Sequence, residues 1–60
     1  MKTKELMREI ERRGGRVLRQ RGSHRVFKMP DGTLFVVPFS GSHLESSPHL
    51  VRKALAHCGG

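Results

Sequence analysis

A single cysteine, Cys58, is all the thiol chemistry in this 60-residue chain, so neither an internal disulfide nor a cysteine-based metal framework can form. That usage fits a reducing compartment and leaves stability to packing, helped by a partner. Long hydrophobic runs are also missing. The longest, Leu34 to Val37, falls far below the roughly 20 residues that span a bilayer. The opening Met1-Lys2-Thr3-Lys4-Glu5 starts basic but runs into a charged amphipathic stretch without the apolar centre of a secretory signal, so a cytoplasmic protein is expected. Acid is scarce as well. Five Asp and Glu stand against twelve Lys and Arg, for a formal charge of +7 and a pI near 11.3. A density of this kind favours polyanions through counterion release and long-range steering, with nucleic acid the leading partner. No repeat or linker divides the chain, and residues 1–60 read as one domain. A domain this small buries only about 60% of its unfolded surface, so no large substrate cavity can be enclosed and any ligand must lie on the outside.

Between these absences the pattern of elements is clear. Thr3 is a candidate helix cap, and Leu6, Met7 and Ile10 recur at helical spacing until Gly14-Gly15, which predicts a helix from about Lys4 to Arg13. Glu9 and Arg13 form a supportive pair on its solvent side, while Glu5 and Glu9 repel. Arg16 to Arg21, holding Val17 and Leu18 between glycines, is too short for a helix and reads as a strand. Arg25 to Met29 and Thr33 to Val37 flank Pro30-Asp31-Gly32, where proline presets a turn and glycine supplies positive φ, giving a hairpin. Phe39 to Ser46 is Ser-, Gly- and His-rich and reads as a surface loop. Ser47-Pro48 then opens a second helix with an apolar stripe of Leu50, Val51, Ala54 and Leu55 that ends at Gly59. The fold class is α+β: helix, three antiparallel strands, helix, with both helices on one face of the sheet.

Alternation places Phe27 and Met29 on one side of the second strand and His24, Val26 and Lys28 on the other. The bulkier pair should face the helices, leaving His24 and Lys28 on the open face; a bulge after Gly22 would reverse the placement of His24. The third strand is apolar on both sides, so a partner protein or a second copy is expected to cover Leu34 and Val36. Gly22-Ser23-His24 puts a side chain that titrates near neutrality among Arg19, Arg21, Arg25 and Lys28, and glycine lets backbone approach a phosphate. That set suits cleavage of a phosphodiester. RNA brings its own 2′-hydroxyl nucleophile, so a proton carrier and cations around the phosphorane are enough.

The ordered set Gly14-Gly15, Val17-Leu18-Arg19-Gln20, Gly22-Ser23-His24, Phe27, Pro30-Asp31-Gly32, Val36-Val37-Pro38 and a closing helix with Ala56 and Gly59 resembles HicA-type toxins over nearly the whole chain. The resemblance implies a small fold like that of double-stranded-RNA-binding domains and the activity of an mRNA interferase. It also implies a HicB-like antitoxin that masks the active site, and His24 as the catalytic histidine. Arg25 and Ser47-Pro48 depart from the family pattern, which often has a second histidine and a Gly-Thr pair at those places. With the resemblance the expected reaction is metal-independent transesterification of single-stranded mRNA. His24 carries the acid/base chemistry, and Arg19, Arg21, Gly22, Ser23, Arg25 and Lys28 hold the RNA.

Other assignments are plainer. His43, His49 and His57 are scattered and no cysteine joins them at zinc spacing, so no metal or cofactor is expected. His57 should meet the second helix's carboxyl end, Cys58 should pack, Met7 and Met29 should fill the core, and Arg12-Arg13 should be solvated. Two other function classes fit the charge. One is a non-catalytic RNA-binding module of the same fold, in which His24 is simply a solvated strand residue. The other is a DNA-binding or protein-interaction module, although no helix-turn-helix is recognisable.

Overall fold

The computed structural model describes residues 1–59. Helix α1 spans Thr3–Arg12, strands β1, β2 and β3 span Arg16–Arg21, His24–Lys28 and Leu34–Pro38, a 3-10 turn occupies Gly41–Leu44, and helix α2 spans Pro48–Ala56. The strands form one antiparallel sheet in the order β1-β2-β3, as the α+β reading expects. Both helices lie on one face. Leu6, Met7 and Ile10 of α1 and Ala54 and Cys58 at α2 enclose Phe27, Met29 and Val37, while Phe35, Leu50, Val51 and Leu55 pack around that centre. Phe27 is fully buried, and burying a side chain of this kind contributes about 1.5–3 kcal/mol.

Local chemistry accounts for the joints. Gly15 donates its N–H to the Ile10 carbonyl at 2.9 Å, and a Cβ there would stand 2.5 Å from Ile10 Cγ2, so only glycine lets the chain leave α1 so tightly. At the hairpin tip Gly32 N–H reaches the Met29 carbonyl at 2.8 Å and Met29 N–H reaches the Thr33 carbonyl at 2.8 Å. With Gly32 at φ 90°, this is the three-residue loop in which glycine follows the turn. Asp31 Oδ1 accepts from Thr33 N–H at 2.9 Å, and this bond, followed by the His57 contact, holds the Asp31 carboxyl at about 2. Ser47 Oγ caps α2 by accepting from Leu50 N–H at 3.2 Å, with Pro48 in the first turn.

Three expectations are corrected and one is extended. Thr3 is not the cap of α1; Lys2 precedes the helix without a side-chain cap bond. The buried Thr3 hydroxyl instead donates to the His43 carbonyl and meets Ser46 Oγ at 2.7 Å, tying the segment after β3 to α1. That segment is not wholly irregular, since it carries the 3-10 turn and a bridge between Lys2 and Glu45. Glu9 pairs with Arg12 as well as Arg13, at 2.5 and 2.6 Å, and these bonds hold its carboxyl at about 2. His57 follows α2 as expected, but its Nδ1 turns to Asp31 Oδ2 at 2.8 Å, clasping the helix end to the hairpin tip, with the Phe35 ring 6.0 Å away. Cys58 packs as expected, and burial pushes its thiol pKa up.

A bulge occurs in β1, at Leu18. Val17 pairs with Phe27, whereas Arg19 pairs with Val26, Gln20 with Arg25 and Arg21 with His24. Leu18 is the extra residue, and the reversal of His24 that a bulge after Gly22 would have produced does not occur.

Candidate functional site

Cross-strand partners share a face, so the register fixes which side chains meet. On the open face, Arg21, His24 and Pro38 form one row, Arg19, Val26 and Val36 the next, and Arg16, Lys28 and Leu34 the last. None of the five acids lies on a strand: Glu5, Glu9 and Glu11 sit on α1, Asp31 on the hairpin tip and Glu45 beside Lys2. The face therefore carries four cations and the His24 imidazole with no acid beside them in the sheet.

His24 is exposed at the start of the central strand, directly after a two-residue turn. Gly22 there has φ 55°, the positive value that the first central position of a tight hairpin turn of this hand requires. A Cβ at Gly22 would meet nothing within 4 Å, so backbone strain, not crowding, selects glycine. Ser23 accepts from Phe39 N–H at 2.9 Å through its carbonyl, which fastens the turn to the strand end of β3. The turn, Arg21 and His24 thus stand on a braced corner of the sheet.

The structure brings together most of the residues singled out from the sequence. His24, Arg21, Gly22 and Ser23 share the corner, Arg19 lies one row inward, and Lys28 lies on the same face at the far end of β2, about 13 Å along the strand. Arg25 is placed apart from them. It points to the helix side, where its guanidinium donates to Gln20 Oε1 at 3.0 and 2.7 Å and lies 5.1 Å from the Phe39 ring centre. Sequence reasoning misses Arg16, although it stands opposite Lys28. Only the hairpin register, counted back through the bulge, could have found it.

Apolar side chains share the open face. Leu34 is 59% and Val36 48% exposed, alongside Leu18 at 53%. Among the described residues no helix is long and apolar enough to cross a membrane, and no three His, Cys, Asp or Glu side chains converge as metal ligands would.

Fold and face together define the class: a small α+β domain with a cationic, imidazole-bearing sheet surface. The family model for the HicA toxin of bacterial toxin-antitoxin systems matches residues 3–59, and the chain belongs to that family. It is accordingly the toxin of a toxin-antitoxin pair, a system that implies a cognate antitoxin as partner. No curated protein and no solved structure matches the chain.

Proposed function

We propose that this toxin is a metal-independent endoribonuclease that cuts single-stranded mRNA, with His24 moving the protons. The observation that carries the reading is the corner itself: an exposed imidazole in register with Arg21, beside a glycine turn, on a face whose strands hold no acid. The substrate's 2′-hydroxyl attacks the adjacent phosphorus, its proton passes to His24, and the 5′-oxygen leaves, giving a 2′,3′-cyclic phosphate. A positioned imidazole contributes about 10²–10⁴-fold to such a step. Arg21 and Arg19 balance the charge that builds on the phosphorane, and the Gly22-Ser23 backbone allows the phosphate to come close.

One ring cannot accept and donate in the same step. Lys28 stands about 13 Å from His24 along β2, so it is better placed to hold the strand than to protonate the same leaving oxygen, and solvent water is the better second carrier. Arg25, turned toward Gln20 and Phe39, supports the sheet corner from behind.

The antitoxin partner is a HicB-like protein with an acidic surface. It masks the toxin by covering the cationic face and the exposed Leu34 and Val36, combining fast steering with slow release. Incubating wild type and His24→Ala with RNA in the presence of a chelator tests the enzyme reading. Wild type should cut and leave cyclic phosphate ends, while the variant should lose about 10²–10⁴-fold in rate without losing its fold. Equal cutting by the two proteins, or comparable cutting of DNA, would refute it. Unimpaired RNA binding with no cleavage by either would favour the binding-module alternative.

A further inference from the structure

The far end of the open face holds a second feature. Beyond the β1 bulge, a cleft of about 440 Å³ opens between the strand and the hairpin tip, lined by Arg16, Leu18, Lys28, Met29 and Pro30 among others. Its lining mixes polar and apolar surface, the apolar part coming from half-exposed Leu18 and from Pro30. Its rim is cationic. Arg16 and Lys28 are direct cross-strand partners, an arrangement of like charges that destabilises a sheet, and among the described residues neither forms an ion pair. A bulge re-aims side chains, and here the extra residue supplies an apolar wall beside the two cations.

Two unneutralised cations beside a cleft with an apolar patch are complementary to a nucleotide: phosphate between Arg16 and Lys28, base against Leu18 and Pro30. The cleft shares its sheet face with His24 and lies about 13 Å from it along β2, a distance that a short single strand bridges. We propose that this cleft is a substrate subsite that holds one nucleotide of the RNA strand away from the cleaved bond. It rests on the ribonuclease reading and deepens it, because Arg16 and Leu18 would set grip and base preference while His24 does the chemistry.

The test separates the two ideas by using His24→Ala throughout, so that binding is measured without cutting. A fluorescent single-stranded RNA hexamer is titrated over a range of salt concentrations. Adding Arg16→Ala should lower the slope of log affinity against log salt by about 0.7, the value for one phosphate no longer neutralised on a single strand. Leu18→Ser should weaken binding about fivefold with the slope unchanged, since it removes apolar surface and no charge. Arg16→Met keeps the apolar stem and should match Arg16→Ala in slope, which excludes a folding artefact; thermal midpoints of all variants check the same point. If Arg16→Ala and Leu18→Ser both leave affinity and slope as in the parent, the subsite is refuted while the ribonuclease reading stands. If the His24→Ala parent binds no RNA hexamer and wild type cuts none, both fall.

Discussion

The two faces of the sheet spend the same residue types in opposite ways. On the helix side, Phe27, Phe35 and Val37 meet Leu6, Ile10 and Ala54, and the one arginine turned that way, Arg25, is engaged by Gln20 and Phe39. On the open side, Val36, Leu34 and Leu18 are left about half in water, and Arg16, Arg19, Arg21 and Lys28 have no acid in the sheet to answer them. One face is satisfied within the chain. The other leaves its apolar and cationic side chains open to water. The contrast teaches that in a domain with a single thin core, stability and recognition can be carried by alternate residues of the same strands.

Substitutions on the two faces should therefore fail in different assays. The largest effect belongs to Phe27→Ala, which empties a fully buried position and should cost about 3–5 kcal/mol; in so small a domain that is enough to unfold it, as loss of the cooperative thermal transition would show. If Phe27→Ala melted like wild type, the helix-side core would not be what holds the fold.

Acid should act next. Glu9, lowered from 4.5 to about 2 by Arg12 and Arg13, and Asp31, lowered from 3.8 to about 2 by Thr33 and His57, both bind protons more readily in the unfolded chain. Their stabilisation is present above the unfolded values and is lost as pH falls through about 2. Denaturant midpoints should therefore drop between pH ~5 and ~2, and a Glu9→Gln, Asp31→Asn double variant should flatten that decline.

The smallest stability effect is expected from Leu34→Thr with Val36→Thr, which places β-branched side chains on an exposed strand face and should change stability by no more than about 0.5 kcal/mol. The same pair should weaken capture by an acidic antitoxin, measured by dissociation rate. A stability loss as large as that of Phe27→Ala would erase the distinction between the faces.

Much of this arrangement can be read from local chemistry. Pro30-Asp31-Gly32 and Ser47-Pro48 act through bonds to their own neighbours, Asp31 to Thr33 and Ser47 to Leu50, so their meaning survives without the rest of the fold. Thr3 and His57 mislead because their partners lie far along the chain. Thr3 gives up capping to reach His43 and Ser46, and His57 crosses to Asp31. The same limit applies at the candidate site. His24 and Lys28 fall on one face by simple alternation within β2, but the company they keep depends on β1, whose pairing changes step at Leu18.

That change of step has a consequence for charge. Had β1 continued in the register of its first pairs, Gln20 would oppose His24, and Arg19 and Arg21 would point down among the helices, two cations pressed into the hydrophobic layer. One surplus leucine inverts the parity of everything after it and delivers both guanidinium groups to the imidazole's side. Deleting that residue would thus turn Arg19 and Arg21 off the open face without altering either side chain, which makes a single inserted amino acid the phase-setter of the charge around His24.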